Sequence, residues 1–318
     1  MTEQNKRFAT IPEDHAGLRL DRSLAQLFPE YSRARIQAWI VSEHVTVDGE
    51  YRACKYSVSG GEHVELTPIQ SEQIQENKPE DIALDIMHED DDLLVINKPV
   101  GLVVHPGAGN SQGTLMNALL FHSKKLANLP RAGIVHRLDK DTSGLMVVAK
   151  SIEAHTKLVK SLQEHKVIRK YYAIVRGQLI SGGSFDEPIG RHPHDRTKMA
   201  ISEKGKEART HFIVKEKFKR HTLVEVSLET GRTHQIRVHF AANNYPLVGD
   251  SVYAPRVQKV ANVPEELNDA LCKFPRQALH AFELSFDHPI SKRQMTWRAE
   301  IPGDMQSLLN TLREYSSI

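Results

Sequence analysis

The sequence predicts an α+β fold in which a small N-terminal module precedes a large domain built on a mixed, mainly antiparallel sheet. The 318 residues exceed the usual size of one domain, which favours two. Two helical patterns followed by short strand patterns lie before residue 66, whereas apolar and β-branched runs between turns outnumber helical stretches after residue 92. Hydrophobic residues at 40% and charged residues at 26% are typical of a soluble globular protein.

The N-terminal module starts with two helical patterns. From Leu18, the segment LRLDRSLAQLF places its leucines on one helical stripe. Ser32 is a plausible N-cap of a second helix, whose apolar residues share one face. Arg33 and Arg35 point away from that face, which leaves them free to meet phosphate. Such a basic face is more often solvated surface than a binding site, so the helical pattern alone leaves both interpretations open.

Two strand patterns complete this module. They are VTVDGEY, with an Asp48-Gly49 turn, and HVEL after a pair of glycines. The order of elements over residues 18–66 resembles the S4-like RNA-binding domain, and the resemblance implies that residues 1–68 contact RNA. Residues 69–92 carry nine acidic side chains and one lysine, and we interpret residues 69–80 as a linker.

The large domain, residues 81–318, is predicted from patterns along the rest of the chain. The predicted strands are LLVINKP from Leu93, GLMVVAK from Gly144, KYYAIVRG from Lys170, ARTHFIVKEKF from Ala208, HTLVEVSLETG from His221 and RTHQIRVHF from Arg232. The predicted helices are Thr114–Phe121, 152–165 and 303–314. Strands therefore dominate this part of the chain.

The net charge of +2 is the sum of two opposed parts. Residues 1–92 hold 9 Lys and Arg against 19 Asp and Glu, a net charge of −10. Residues 93–318 hold 33 against 21, a net charge of +12. A basic domain suits a polyanionic partner, although nucleic acid, an anionic membrane and an acidic protein fit this charge about equally well.

Several classes of protein are disfavoured by what the sequence contains. Cys54 and Cys272 lie far apart without CxxC spacing, which predicts buried free thiols rather than a disulfide framework or a zinc site. No apolar run reaches the roughly 18 residues of a membrane span, and the first residues do not resemble a signal peptide. We therefore expect a cytoplasmic protein without a membrane partner.

The densest cluster of functional residue types is RAGIVHRLDKDTSGLMVVAK, residues 131–150. In this segment Asp139 lies between Arg137 and Lys140, on a loop that joins an apolar strand pattern before His136 to the strand that follows. A rigid scaffold can present a carboxylate for catalysis in such a place. Surface Asp-Lys-Asp turns are also common, so the local pattern leaves a purely structural interpretation open.

A second cluster is ETGRTHQIRVH, residues 229–239. Interpreted as a strand, it places Gln235, Arg237 and His239 on one face and Ile236 on the other, with Arg232 in the preceding turn. An arginine within about 4 to 6 Å of Asp139 would lower the pKa of that carboxylate and keep it ionised. An ordinary cross-strand ion pair would shift the pKa in the same direction.

Motifs for metals and nucleotide cofactors are not recognised. The 17 histidines include His192 and His194, but no Cys or carboxylate set accompanies them at ligand spacing. Neither a Walker A motif nor a GxGxxG unit is present, and the glycine pairs are better explained as turns. We therefore expect neither a metal nor a nucleotide cofactor.

Together these motifs identify the chain as similar to the RluA-type family of pseudouridine synthases, over nearly its whole length. The family signature, HRLD followed two residues later by TSG, is present as His136–Asp139 and Thr142–Gly144, and the downstream motif is present as Gly231–Arg237. Further similar blocks are Asn97-Lys98-Pro99, His105-Pro106-Gly107, Arg169-Lys170-Tyr171, His280-Ala281 and His288-Pro289. Lys170 departs mildly from the family, in which glutamate is commoner at this place.

The resemblance implies roles for individual residues. Asp139 corresponds to the essential aspartate, Arg237 to its basic partner, and Tyr171 to the tyrosine that stacks on the target base. Arg137 would fill the gap that a flipped uridine leaves in the RNA, and Ile236 would pack against the flipped ring. Arg232, Arg33 and Arg35 are further candidates for RNA contacts. The reaction is redox-neutral, which agrees with the expectation that no cofactor is needed.

The S4-like module and the wording of the Asp139 segment are most similar to family members that act on large-subunit ribosomal RNA. The resemblance thus implies that uridines of the helix 69 stem-loop in 23S RNA become pseudouridine. The same chemistry on another rRNA or tRNA site and a noncatalytic rRNA-binding assembly factor are the alternatives. A glycoside hydrolase is disfavoured, because that chemistry normally needs two carboxylates at a set separation.

Overall fold

The computed structural model describes residues 6–29, 31, 33–68, 78–107, 110–195, 197–254 and 263–315. Ser32 and most of the proposed linker, residues 69–77, lie outside these ranges. The chain divides into two compact units, Met1–Glu76 and Asn77–Ile318. Each unit has an apolar core of its own.

The first unit packs two helices on a small antiparallel sheet. Its elements are β1 Arg7–Thr10, α1 Leu20–Leu27, α2 Arg33–Val41, β2 Val45–Val47, β3 Glu50–Tyr51 and β4 His63–Leu66, with strand order β1-β4-β2-β3. Leu20 and Leu24 of α1 meet Ile36 and Trp39 of α2 in the core. The predicted helices and strands are present, and β1 is an additional edge strand.

The second unit contains the large sheet. Its strands are β5 Ile86–Glu89, β6 Leu93–Lys98, β7 Ser143–Ala149, β8 Ile168–Arg176, β9 Gly183–Asp186, β10 Ile189–Arg191, β11 Met199–Ile201, β12 Arg209–Lys217, β13 His221–Leu228, β14 Leu279–Asp287 and β15 Gln294–Arg298. Its helices are α3 Leu115–His122, α4 Ile152–Gln163, α5 Gln235–Ala242, α6 Glu265–Lys273 and α7 Gly303–Glu314.

Nine of these strands form one sheet in the order β5-β6-β7-β14-β8-β13-β12-β9, with β15 added to β14, while β10 and β11 form a separate hairpin. Only β7 and β14 pair in parallel, at His280 with Ser143 and Ala281 with Gly144. The remaining pairs described are antiparallel. The predicted mixed, mainly antiparallel sheet is therefore confirmed.

Helices cover both faces of this sheet because successive side chains of a strand point to opposite sides. On β8, Tyr171 and Ala173 face the main core, which α3 and α5 close. Ile174 faces the opposite side, which α6 and α7 cover, and α4 packs farther along that side. None of the helices among the described residues is long and apolar enough to cross a membrane.

The segment RTHQIRVHF, predicted as a strand, instead contains helix α5. Residues 235–240 are all buried, so the helix shows no polar face, and periodicity cannot distinguish a short buried helix from a buried strand. Ile236 and Phe240, one helical turn apart, pack into the main core. The predicted common face of Gln235, Arg237 and His239 is therefore wrong.

Two smaller predictions are also corrected. The apolar run before His136 is not a strand, because residues 130–133 form a turn in which Arg131 (φ +53°) and Ala132 (φ +52°) have left-handed backbone, and Ile134 makes only an isolated bridge to Val148. The cysteines are not buried thiols, since Cys272 is exposed and Cys54 is only half-buried.

Candidate active site

A buried lysine anchors the loop that carries Asp139. Lys98, at the end of β6, is fully buried, and its Nζ donates to the carbonyl oxygens of Pro99 (2.8 Å), Leu102 (2.9 Å) and Lys140 (2.9 Å). Burial lowers the pKa of Lys98 to about 8, although the nearby charges of Asp141 and Asp139 act in the opposite direction. The ammonium group thus ties two loops together at neutral pH.

The other side of the loop is fastened to the start of β14. The amide of Thr142 donates to the Asp139 carbonyl (3.1 Å), which closes a tight turn. Arg276 donates from Nη1 to the carbonyl of Asp141 (3.3 Å), and Gln277 donates from Nε2 to the hydroxyl of Thr142 (3.1 Å). The loop position is therefore set by side chains from both neighbouring segments.

Helix α5 brings Arg237 to the carboxylate of Asp139. Nη1 of Arg237 donates to Oδ2 of Asp139 at 2.9 Å. The side chain of Arg237 is 6% exposed and that of Asp139 is 17% exposed. The two motifs thus meet, and the carboxylate keeps access to a ligand while a buried guanidinium fixes one of its oxygens.

A second carboxylate orients Arg237. Nε and Nη2 of Arg237 donate to the two oxygens of Asp250, at 2.8 and 3.0 Å. Asp250 is buried and also accepts the amides of Val252 (2.9 Å) and Tyr253 (3.0 Å). Burial would raise the pKa of Asp250, but these bonds, above all those from Arg237, outweigh it and lower the pKa. Asp250 therefore remains an anion and fixes the guanidinium plane.

His234 lies on the other side of the carboxylate. Its Nε2 is 3.8 Å from Oδ1 of Asp139, which is longer than a hydrogen bond. Its Nδ1 is 2.7 Å from the hydroxyl of Tyr253, and that hydroxyl accepts the Met199 amide (2.9 Å). The hydroxyl proton is therefore available to Nδ1. Burial lowers the pKa of His234 despite the charge of Asp139, which favours a neutral imidazole.

Tyr171 and Ile236 form part of the apolar side of the site. Both belong to the main core together with Leu138, the residue before Asp139, and they are 5% and 4% exposed. Burial raises the pKa of Tyr171, and the charge of Asp139 adds to this effect. The phenol is therefore protonated at neutral pH, and its ring can be reached only by a group that enters the site.

The predicted RNA-contacting arginines differ in their surroundings. Arg137 is exposed, close enough to His105 and His234 to lower the pKa of both. Arg232 is half-buried and donates from Nε to the carbonyl of Glu207 (2.9 Å). Arg137 is therefore open to a ligand, whereas Arg232 is tied to the protein.

In the first unit, both candidate arginines are engaged with protein groups. Arg33 donates to the buried carboxylate of Asp21 from Nη2 (2.8 Å) and Nε (3.2 Å). Arg35 stacks over the rings of Trp39 (5.2 Å) and Tyr31 (5.9 Å). Neither arginine presents a fully unengaged guanidinium to solvent.

Sequence reasoning overlooked three groups of the site. Asp250 and Tyr253 follow an ordinary turn, and no periodicity marks them. His234 belongs to the motif Gly231–Arg237, but the motif alone assigns no role to it. The sequence offered only an indirect indication of Asp250. A buried arginine is stabilised by a buried counter-charge, so a partly exposed Asp139 suggests a second carboxylate beside Arg237. Among the described residues, no group of three or more His, Cys, Asp or Glu side chains is placed to hold a metal ion.

Comparison with protein families gives two matches. The family described as RNA pseudouridylate synthase matches residues 92–242, which include Asp139, Tyr171 and Arg237. The S4 domain matches residues 18–64.

Curated relatives cover almost the whole chain. The protein named ribosomal large subunit pseudouridine synthase D from Escherichia coli strain K12 is 50% identical over 316 residues, covering 98% of this chain and 96% of the relative. The protein of that name from Nitrosomonas europaea is 51% identical over 304 residues, covering 96% and 87%. That from Yersinia pestis is 50% identical over 314 residues, covering 98% and 96%.

Two solved structures are similar over nearly three quarters of the chain. Human RNA pseudouridylate synthase domain containing 4 is 28% identical with a TM-score of 0.57, covering 72% of this chain and 92% of the other. Human RNA pseudouridylate synthase domain containing 1 is 25% identical with a TM-score of 0.51, covering 73% and 95%.

Proposed function

The chain belongs to the RNA pseudouridylate synthase family, and from this premise we propose that it converts uridines of large-subunit ribosomal RNA, in the helix 69 stem-loop, into pseudouridine. The names of its relatives support ribosomal RNA as the substrate. The match to the S4 domain adds a second candidate RNA-binding unit. We further propose Asp139 as the catalytic carboxylate and Arg237 as its basic partner.

The observation that carries this assignment is the bond of 2.9 Å between Arg237 and Asp139. It leaves Oδ1 of Asp139 without a close bond to His234, at 3.8 Å. One carboxylate oxygen is thus fixed by a guanidinium, whereas the other can meet a reacting atom. A carboxylate whose orientation is fixed in advance loses less entropy when the nucleotide arrives.

The target uridine has to leave its stack before Asp139 can reach it, at a cost of a few kcal/mol that is smallest for loop nucleotides. Exposed Arg137 would occupy the place of the extruded base, and Tyr171 with Ile236 would contact the ring within the site. Aromatic stacking of about 1 to 3 kcal/mol per base would offset the cost of flipping. Phosphate contacts of the basic unit would add salt-dependent affinity.

The reaction breaks the bond from the sugar to a base nitrogen and forms a bond from the sugar to a base carbon. In our proposal Asp139 acts as a nucleophile towards the sugar or the base, or as a base that removes a sugar proton to give a glycal-like intermediate. Both routes need the Asp139 carboxylate held in a fixed orientation, and Nη1 of Arg237 donates to it at 2.9 Å. The base loses a proton from C5 and gains one at the freed nitrogen. Because the phenol of Tyr171 is protonated, it would take the C5 proton only while it gives its own hydroxyl proton to solvent or to that nitrogen.

The test uses the purified protein and a helix 69 stem-loop labelled with tritium at C5 of uridine. We expect release of tritium without added metal or nucleotide. Asp139→Asn should reduce turnover by more than a thousandfold, because the reaction needs the carboxylate, while RNA affinity changes less than about threefold. Asp141→Asn is the matched control on the same loop and should keep most activity.

Other outcomes separate the alternatives. Near wild-type turnover of Asp139→Asn would remove Asp139 from the role. Turnover on another rRNA or a tRNA stem-loop, but not on helix 69, would keep the chemistry and change the substrate. Binding without tritium release from any of these RNAs would identify a noncatalytic assembly factor instead.

A further inference from the structure

Arg169 is a buried arginine for which the described part of the chain offers no anionic partner. It lies in β8, two residues before Tyr171, and is 8% exposed. Its Nε is buried and has no hydrogen-bond partner. Among the described residues, no carboxylate forms an ion pair with its guanidinium. Arg237 and Arg276, which are similarly buried, each bind a carboxylate through two nitrogens.

Arg169 lies close to two segments of the candidate active site, the strand that carries Tyr171 and the backbone at Gly231. Side chains alternate along β8, so Arg169 and Tyr171 point to the same face of the sheet. A Cβ added to Gly231 would lie 2.8 Å from Nη1 of Arg169, so the guanidinium packs on the backbone that leads into α5. Its charge also lowers the pKa of His136, after the larger effect of burial.

An unpaired buried guanidinium is costly for the free protein. Arginine remains charged in proteins, and burying such a charge without a counter-charge costs several kcal/mol. This cost is recovered when an anion binds in the site. The anion that an RNA substrate carries at every nucleotide is the phosphodiester, which the planar guanidinium can bind through two hydrogen bonds.

We propose that Arg169 binds the phosphate adjacent to the flipped uridine. This inference rests on the proposed function and names a contact that holds the substrate, not a group that reacts. The packing of Gly231 against Arg169 places this contact beside the loop that leads to Arg237. One phosphate bound there would fix the sugar with respect to both Tyr171 and Asp139.

The experiment measures binding of the full chain to helix 69 stem-loops in which one phosphodiester at a time is replaced by an uncharged methylphosphonate. We expect Arg169→Met to weaken binding of unmodified RNA about tenfold. The dependence of log affinity on log salt should decrease in slope by about 0.7 to 1, as for one phosphate contact. One methylphosphonate next to the target uridine should weaken the wild type about tenfold and leave the affinity of Arg169→Met unchanged.

Arg298→Met is the matched control. Arg298 binds Glu283, which also binds Lys170, the neighbour of Arg169 that points to the opposite face of the sheet. Removal of this arginine should leave the methylphosphonate pattern of the wild type intact. Arg169→Lys, which keeps the charge without the planar fork, should recover part of the lost affinity.

Stability measurements separate this contact from a structural role. Because Arg169 has no anionic partner in the free protein, Arg169→Met should melt at the wild-type temperature or above it. A lower melting temperature of Arg169→Met with an unchanged KM would overturn the proposal. The proposal would also fail if every methylphosphonate weakened RNA binding by the wild type and by Arg169→Met to the same extent. If the wild type binds RNA but releases no tritium, the proposed function fails, whereas the phosphate pattern still decides the role of Arg169.

Discussion

Arg237 connects two carboxylates that differ in exposure. Asp250 is 1% exposed in its side chain and takes two nitrogens of the guanidinium, whereas Asp139 is 17% exposed and takes one. The buried pair offsets the cost of desolvating the arginine, and the third nitrogen is then directed at the reacting carboxylate. Asp250 is therefore a positioning residue in our proposal, and its effect should appear in turnover.

We predict that Asp250→Asn lowers kcat at least tenfold with a change in KM below about threefold, because Arg237 loses the anion that sets its plane. Loss of the buried pair should also lower the melting temperature. Tritium release and thermal unfolding measure the two effects. Glu283→Gln is the control, since Glu283 is likewise a buried carboxylate that binds two cations, Lys170 and Arg298, at 3.0 and 2.7 Å. A tenfold kcat loss in both variants would indicate a general effect of stability.

At this scale, the sequence predicted the central pair but not its surroundings. The pairing of Arg237 with Asp139 was implied by the resemblance to the pseudouridine synthase family, whereas the residue patterns alone left it open. Asp250 could not be predicted, because its partner is 13 residues away through a buried bond that leaves no spacing pattern. His234 and Tyr253 depend on the left-handed backbone at His234, which local sequence does not indicate.

Among the secondary elements, β14 lies between the two strands that carry the proposed site. It pairs with β7 in parallel and with β8 in antiparallel fashion, so it separates the strand after Asp139 from the strand that holds Tyr171. This strand was not predicted, although predicted strands on either side of it were found. Its nine residues are almost fully buried, which removes the alternation that usually marks a strand.

The contact between β7 and β14 requires a glycine. Gly144 has φ of +116°, and an added Cβ would lie 2.2 Å from the carbonyl oxygen and 2.6 Å from the nitrogen of Ala281. We predict that Gly144→Ala lowers the unfolding free energy by about 3 kcal/mol or more, because backbone has to move on both strands. Gly303→Ala, where nothing lies within 4 Å of the added Cβ, should be neutral or slightly stabilising. Urea unfolding measures both, and equal stabilities would contradict this account.

In the first unit, α1 and α2 are joined by the carboxylate of Asp21. It is fully buried and accepts hydrogen bonds from Arg19, Arg33 and Gln37. Burial would raise the pKa of Asp21, but the bonds from these three side chains outweigh burial and lower it to about 2. Because the folded pKa is below that of the unfolded chain, this stabilisation is complete above pH 4 and is lost as the pH falls towards 2.

We predict that Asp21→Asn lowers the unfolding free energy of this unit by about 2 kcal/mol at pH 7, following about 1.4 kcal/mol per pKa unit. The difference from the wild type should shrink below pH 4. Fluorescence of Trp39, in a Trp297→Phe background, reports on unfolding of this unit alone. Asp14→Asn removes an exposed carboxylate of the same unit and should change stability by less than about 0.5 kcal/mol. A difference that persists unchanged at pH 2 would contradict the assigned cause.

Across the whole molecule, charge and chemistry are concentrated in the same part of the chain. Residues 93–318 carry a net charge of +12 and contain Asp139, Tyr171, Arg169 and Arg237, whereas residues 1–92 carry −10. The larger unit, residues 77–318, holds 34 Lys and Arg against 28 Asp and Glu, a net charge of +6, whereas residues 1–76 hold 8 against 12, a net charge of −4. We therefore expect long-range attraction of RNA to come from the larger unit. In the first unit, Arg33 is already engaged with Asp21, and Arg35 with aromatic rings. We therefore expect this unit to recognise RNA through surface complementarity more than through its net charge.

Removal of residues 1–76 tests this division, because the unit 77–318 has its own core and all the groups of the proposed site. We expect the truncated chain to release tritium from an isolated stem-loop with a kcat within about threefold of the full chain. KM on complete large-subunit RNA should rise about tenfold or more, since the S4-matching unit is lost, while the salt dependence changes little. The full chain with Arg33→Met and Arg35→Met is the control for these two arginines. If truncation abolishes turnover on the isolated stem-loop while circular dichroism still shows a folded chain, the first unit contributes to the site itself. Identical KM values on complete RNA would show instead that it does not select the substrate.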